Sequence, residues 1–276
     1  MPLTPKETTR LLEKLGHRPK KKFGQNFLID GNLVGKSLDM ADLPNNLPVV
    51  EIGPGLGTLT QKLLDAGHPV HAVEIDRTLY ENLKNSLARF IDSRQLSLAH
   101  GDAVKSPIGS LPQHVQEYAV VANLPYAISS PWLESLLATG RPPTRMVLML
   151  QREAVERMWA RPGTKNYNAL SIFLQLTFEN LQSHPVSRQC FFPAPSVDSI
   201  LARMDRIPDP FLFSKSDRAL IRRIFTQRRK QIGSIARQEE DSDRKRIEDW
   251  LAENKLESTL RPEQIETRIW KNLSSD

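Results

Sequence analysis

Pro48-Val49-Val50-Glu51-Ile52-Gly53-Pro54-Gly55-Leu56-Gly57 is the stretch that decides the fold. Residues 48–52 make a short apolar run that reads as a buried strand, and the glycines after it mark a tight turn. Residues 58–66 then take helical spacing, with Leu59, Leu63 and Leu64 on one face and Gly67 as a stop. Strand, glycine turn and helix in this order let the backbone approach a ligand where any Cβ would collide. A dinucleotide fingerprint would need G-x-G-x-x-G, whereas here the third glycine comes one residue early. A nicotinamide-dependent enzyme is disfavoured on that spacing.

Outward from the turn the alternation continues. Residues 70–74 read as a second strand, and Leu79, Leu83, Leu87 and Phe90 line a following helix. Residues 96–99 and 118–122 are two more strands, 131–138 a short helix and 145–150 a fifth strand. Apolar strands alternating with amphipathic helices predict an α/β fold with a doubly wound, mostly parallel sheet. Right-handed crossovers place the loops that follow the strands on one edge, where such sheets bind ligands. The glycine turn, Glu74, Asp102 and Asn123 all follow strands and should converge there.

After residue 150 the texture changes. Residues 151–159 and 170–178 look helical, and 184–191 and 197–204 are strand-like. Ile207-Pro208-Asp209-Pro210 reads as a linker. Beyond it Leu220, Ile221, Ile224, Phe225, Ile247, Trp250, Leu251, Ile265 and Ile269 predict a small C-terminal α-helical domain. The expected organisation is a basic N-terminal extension over 1–22, a catalytic domain over 23–206 and the helical domain over 207–276.

The acids at the strand ends define the ligand. Glu51, just ahead of the first glycine, would repel a pyrophosphate but suits a charged amino-acid end carrying an ammonium and a sulfonium, as S-adenosylmethionine has. Glu74, about twenty residues on, is placed to accept from both ribose hydroxyls. Asp102 can accept from the cofactor's adenine amine, or serve only as a turn or cap residue. Asp76 reads as a helix N-cap with no need of a ligand role.

Asn123-Leu124-Pro125-Tyr126 follows the fourth strand. An adenine amine is a poor nucleophile because its lone pair is delocalised into the ring. The Asn123 side-chain oxygen and a backbone carbonyl can each accept one N–H and aim that lone pair. Pro125 stiffens the turn, and Tyr126 offers an aromatic face for a base taken out of its stack.

At this point the chain resembles the KsgA-type rRNA adenine dimethyltransferases. The resemblance is carried by Lys22-Phe23-Gly24-Gln25-Asn26-Phe27-Leu28, the Glu51 glycine turn, and Asn123-Leu124-Pro125-Tyr126 with Ile128-Ser129. Also shared are the run from Phe192 through Pro193 and Pro195 to Val197-Asp198-Ser199, and Phe225-Thr226-Gln227-Arg228-Arg229-Lys230. It spans about residues 18–272 in family order. It implies a Rossmann-like class I methyltransferase fold and two successive methylations of each of two adjacent adenosines in the 3′-terminal hairpin loop of 16S rRNA, within the small ribosomal subunit. It also implies a role in subunit biogenesis. By resemblance, Asn26 and Leu28 belong to a segment closing over S-adenosylmethionine, with Gly53, Glu74, Asp102 and Asn123 completing its site; Gln25, Glu51 and Gly55 are expected to bind the cofactor with them. Tyr126 and Phe192 would flank the target base beside Asn123 and Pro125. Ala127 departs from the family, which often carries Asn or Tyr there.

Bulk properties agree with this class. The 276 residues are 39% hydrophobic and 25% charged, with a net charge of +6, which favours a polyanionic partner. A single cysteine, Cys190, excludes an intrachain disulfide. No apolar run has signal-peptide or membrane-spanning character, so a soluble cytoplasmic protein is expected, monomeric and without a metal. Lys20, Lys21 and Lys22, Arg222 and Arg223, and Arg228, Arg229 and Lys230 form the basic clusters expected to follow RNA phosphates. Glu239-Glu240-Asp241 is expected to face away from RNA. Two other readings compete. One is a macrolide-resistance-type methyltransferase acting on large-subunit rRNA, against which the Phe225–Lys230 segment and the length of the C-terminal domain argue. The other is a non-catalytic RNA-binding assembly or transcription factor, against which the intact Asn123–Tyr126 motif argues.

Overall fold

The computed structural model describes residues 4–274. Two compact units divide the chain: one built from the chain up to Val155 together with Asn180–Arg206, the other from Glu156–Glu179 and the chain from Ile207 on.

The first unit opens with α1 (Pro5–Lys14), capped by a reciprocal pair of hydrogen bonds between Thr4 and Glu7. Next come β1 (Phe27–Leu28), α2 (Gly31–Ala41), β2 (Val49–Ile52), α3 (Thr58–Asp65), β3 (Val70–Glu74), α4 (Arg77–Ser86), α5 (Ala88–Asp92) and β4 (Leu96–His100). The chain continues through β5 (Ala119–Asn123), α6 (Ser129–Ala138), β6 (Arg145–Gln151), α7 (Arg152–Met158) and α8 (Ala169–Gln175). The last strands are β7 (Phe178–Val186), β8 (Phe191–Phe192) and β9 (Ser199–Arg206). Seven strands form one sheet in the order β4-β3-β2-β5-β6-β9-β7. The neighbours from β4 to β6 pair in parallel, and β9 runs antiparallel to β6.

This order explains where a ligand must bind. From β2 the chain winds outward through β3 to β4, then returns to lay β5 on the other side of β2. The loops after β2 and β5 therefore diverge at a topological switch point, the crevice where open α/β sheets take ligands. The central strands are apolar on both faces: Val49, Val50, Ala119, Val120, Met146, Val147 and Leu148 are all wholly buried. Gly57 accounts for the early third glycine. Its φ is +83°, a conformation that favours glycine, and a Cβ there would come within 2.7 Å of the Leu83 side chain on α4, so glycine suits the close packing at the start of α3.

Three expectations need correction. Residues 4–22 are not an appended arm, because α1 buries Thr8 and Leu12, and Leu12 clusters with Phe27 and Leu79. Residues 156–179 belong with the C-terminal unit: Tyr167 donates to the Ile265 carbonyl at 3.2 Å and packs edge-on against Phe225. Phe178 opens a strand instead of ending a helix, and β7 stops at Val186. A turn over residues 187–190 then separates β7 from β8. Pro185 is tolerated in β7 because that strand lies at the sheet edge.

The second unit takes α8 and adds α9 (Lys215–Thr226), α10 (Ile232–Ala236) and α11 (Asp241–Glu253). Its core is aromatic: Trp250 lies 5.0 Å from Trp270 between ring centroids, and Phe225 5.3 Å from Trp270. No described helix is long and apolar enough to cross a membrane.

Candidate active site

A cavity of about 360 Å³ opens at the switch point. Its lining includes Gln25, Asn26, Leu28, Glu51, Gly53, Gly55, Glu74, Asp102, Asn123, Pro125 and Tyr126, so residues spread over a hundred positions meet as the strand ends required.

Backbone amides hold Glu74 in place. Its Oε2 accepts from the Gly55 N–H at 3.0 Å and its Oε1 from the Asp76 N–H at 2.8 Å. Burial nevertheless raises its carboxyl to about 6, against the lowering effect of these hydrogen bonds. Glu51 is 2% exposed, and its Oε2 has no hydrogen-bond partner among the described residues. Burial lifts its pKa to about 8; the Thr60 hydroxyl beside it works against the rise, and the nearby Glu74 carboxylate adds to it. A buried, unpaired carboxylate oxygen costs stability unless a donor meets it. Gly53, at φ +66°, has Pro125 Cγ 3.1 Å from where a Cβ would be, so both its backbone conformation and the crowding by Pro125 disfavour a side chain there. Asp102 uses Oδ1 to accept from the Val104 N–H at 2.9 Å, so the turn role is real, while the residue still lines the cavity.

On the opposite wall the Asn123 amide nitrogen donates to the Asn26 carbonyl at 2.9 Å, which leaves its oxygen free to accept. The Pro125 carbonyl takes the Ile128 N–H at 3.1 Å, and the Leu124 carbonyl receives no hydrogen bond from the turn. The Tyr126 hydroxyl is hydrogen-bonded to Ser199 Oγ at the start of β9. Burial pushes the phenol above its ordinary pKa. It is therefore no proton acceptor at neutral pH.

Several expected residues sit differently. Gln25 lines the cavity, but its Nε2 donates to Asp76 at 3.2 Å and its Oε1 accepts from the Lys20 N–H at 2.7 Å. Phe192 does not line the cavity. It pairs with Phe27 across β1 and β8 and packs beside Leu12, Phe27 and Leu79. Counting back from Pro193 and Pro195 makes Phe191 the first residue of the Phe-x-Pro-x-Pro spacing, and Phe191 is buried in the core. Lys20 binds Asp76 through its ammonium at 2.7 Å. Arg223 pairs with Glu239 at 3.0 Å and with Asp243, and Arg228 lies 3.6 Å from Glu263. Arg222 stacks its guanidinium 6.0 Å from the Phe173 ring centroid. Lys21, Lys22, Arg229 and Lys230 remain solvent-exposed, Lys230 donating to Gln227. The sequence reading missed Phe27 and Ile75. Ile75 is 43% exposed, lines the cavity, and was detectable as a large aliphatic residue directly after the strand-end acid.

The unpaired Glu51 oxygen, the ribose-type acid at Glu74 and the side-chain-free turn at Gly53 fit S-adenosylmethionine. With the sheet order, they define a class I S-adenosylmethionine-dependent methyltransferase. The family model described as Ribosomal RNA adenine dimethylase matches residues 16–265. The Ribosomal RNA small subunit methyltransferase A of Opitutus terrae is 49% identical over 99% of this chain and 98% of its own length. A dimethyladenosine transferase from Plasmodium falciparum superposes with a TM-score of 0.69 at 25% identity, covering 90% of this chain and 95% of that one. The 23S rRNA methyltransferase ErmE superposes at 0.61 with 23% identity, over 90% of this chain and 98% of ErmE, a likeness of fold alone. The chain belongs to the ribosomal RNA adenine dimethylase family and is an S-adenosylmethionine-dependent rRNA adenine methyltransferase.

Proposed function

We propose that the substrate is the pair of adjacent adenosines in the 3′-terminal hairpin loop of 16S rRNA, each dimethylated at N6 within the small ribosomal subunit by a monomeric cytoplasmic enzyme. The observation that carries the site's part in this is the Asn123 amide, whose nitrogen is tied to the Asn26 carbonyl, which leaves its oxygen as an acceptor at the cavity wall. Near-complete coverage of a relative named for the small subunit supports the substrate.

S-adenosylmethionine, when bound, supplies an electrophilic methyl on a sulfonium. Asn123 Oδ1 and the Leu124 carbonyl each accept one N–H of the adenine amine, drawing its lone pair out of the ring. Tyr126, with its hydroxyl fixed by Ser199, presents a ring face to the flipped base. Catalysis here is positioning and charge complementarity. No general base is required, because a methylated ammonium of this kind loses its proton to water. A monomethylated amine keeps one N–H for Asn123, so the same acceptor serves the second transfer. Glu51 and Glu74 hold the amino-acid and ribose ends.

Labelled-methyl transfer to under-methylated small subunits, large subunits and free rRNA tests this proposal. Transfer to small subunits is expected. Transfer to large subunits alone would overturn the substrate, and no transfer to any RNA would favour a binding factor.

A further inference from the structure

Asp76 is the most heavily engaged carboxylate beside the pocket. It is 1% exposed, and its functions divide by oxygen. Oδ1 caps α4, accepting from the Thr78 N–H at 3.0 Å and the Leu79 N–H at 3.4 Å. A helix cap needs nothing more. Oδ2 points elsewhere, to Lys20 Nζ at 2.7 Å and Gln25 Nε2 at 3.2 Å. His17 completes the cluster. Its Nδ1 lies 3.8 Å from Asp76 Oδ1 and its Nε2 3.0 Å from Gln25 Oε1. Since Gln25 Oε1 can only accept, His17 Nε2 donates to it. Burial alone would raise the Asp76 carboxyl, but Lys20, Gln25 and His17 outweigh it and hold it below the ordinary range.

The groups gathered on Asp76 all come from the segment 17–25, which continues directly into Asn26, Phe27 and Leu28. That segment is fixed at its far end by the pairing of Phe27 and Leu28 with β8. Between the two anchors lies the Asn26 carbonyl that orients Asn123, together with Gly24, which lies against the Tyr126 and Ala127 backbone. The Asp76 N–H also donates to Glu74, so one residue joins the cofactor wall to the target wall.

We infer that Asp76 is a positioning residue for methyl transfer: with His17, Lys20 and Gln25 it clamps the segment 17–28, and through the Asn26 carbonyl it sets the acceptor geometry of Asn123. This rests on the reading of Asn123 given above. Lys20 then acts from within the fold and not on an RNA phosphate.

Asp76→Asn is the informative change. Asparagine caps a helix as well as aspartate does, but its amide nitrogen would face the Lys20 ammonium and the Gln25 amide, so the cap survives and the clamp fails. The expected result is a fall in kcat of about tenfold or more, as for small misplacements of reacting groups, with affinity for S-adenosylhomocysteine changed much less. Lys20→Met, at a side chain 42% exposed and so safe for folding, should lower kcat in the same direction. It should also leave the salt dependence of rRNA binding unaltered, because a lost phosphate contact would reduce that slope by about one. The double variant should be no slower than Asp76→Asn alone.

Wild-type kcat in both single variants, cofactor affinity falling as far as kcat, or a shallower salt slope in Lys20→Met would overturn the clamp. Normal transfer by Asn123→Ala would instead remove the reading of Asn123 itself, so the two failures are distinguishable.

Discussion

The two walls of the pocket are built by different means. On the cofactor wall Glu74 is held by Gly55 and Asp76, nineteen and two residues away in sequence, and both donors are backbone amides of βα turns, one after β2 and one after β3. On the target wall Asn123 is oriented by Asn26, 97 residues away, and Tyr126 by Ser199, 73 residues away. One wall is local and charged. The other is assembled from distant segments and neutral. Cofactor affinity should therefore answer to charge and pH, and methyl transfer to the exact seating of a few neutral side chains.

The largest expected effect is on the target wall. Asn123→Ala should remove methyl transfer, a loss on the order of a thousandfold, as when one preorganised group facing the reacting centre is deleted. Equilibrium binding of S-adenosylhomocysteine should be spared more by this change than by Glu74→Ala. Equal losses in both would mean the walls are not separable.

On the cofactor wall, Glu74→Gln should weaken S-adenosylmethionine binding by about ten- to a hundredfold, the range for losing charge-assisted hydrogen bonds. Calorimetric titration measures it. The rate at saturating cofactor should fall far less.

The third effect is a pH dependence confined to the cofactor wall. Glu51 titrates at about 8 and Glu74 at about 6, both raised above 4.5 by burial. In the ligand-free protein such groups cost stability as pH rises, because the unfolded chain ionises first. Stability should thus decline between about pH 4.5 and 8. A cationic ligand favours ionised Glu51, so binding near pH 7 should release about one proton, and affinity should rise with pH from 6 towards 8. Titrations in buffers of different ionisation enthalpy count that proton. Glu51→Gln should abolish most of the release while making the ligand-free protein more stable at pH 8.

The smallest effect is at the ring support. Ser199→Ala should reduce kcat by a few-fold, since Tyr126 keeps its packing and loses one neutral hydrogen bond. A loss as large as that of Asn123→Ala would mean the hydroxyl pair does more than hold the ring.

The same contrast governs what the sequence made legible. The central strands β2, β5 and β6 were readable because strands buried on both faces leave continuous apolar runs, and the acids Glu74 and Asp102 because they end or closely follow their strands. The edge strand β7 was not, because Glu179, Asn180, Gln182 and Ser183 give it no apolar run after Phe178. Residues 156–179 carry an apolar pattern that fits either unit, and tertiary contacts such as those of Tyr167 and Phe173 decide between them. The residues expected from Gln25 to Tyr126 do line the cavity, but Phe27 and Ile75 escaped notice and the work of Gln25 and Lys20 was misjudged. Their partner, Asp76, lies more than fifty residues away and reads locally as a helix cap and nothing else. Arg223 and Arg228 were read as free cations for the same reason, with Glu239 and Glu263 too distant in sequence to be seen as their partners.

Nucleoside analysis of small subunits after incubation with the enzyme and S-adenosylmethionine tests the central claim most directly. The account predicts N6-dimethyladenosine at both adjacent positions of the 16S hairpin, with monomethyladenosine only as a passing intermediate. Methylation that stopped at one methyl, or that fell on a base other than adenine, would contradict it.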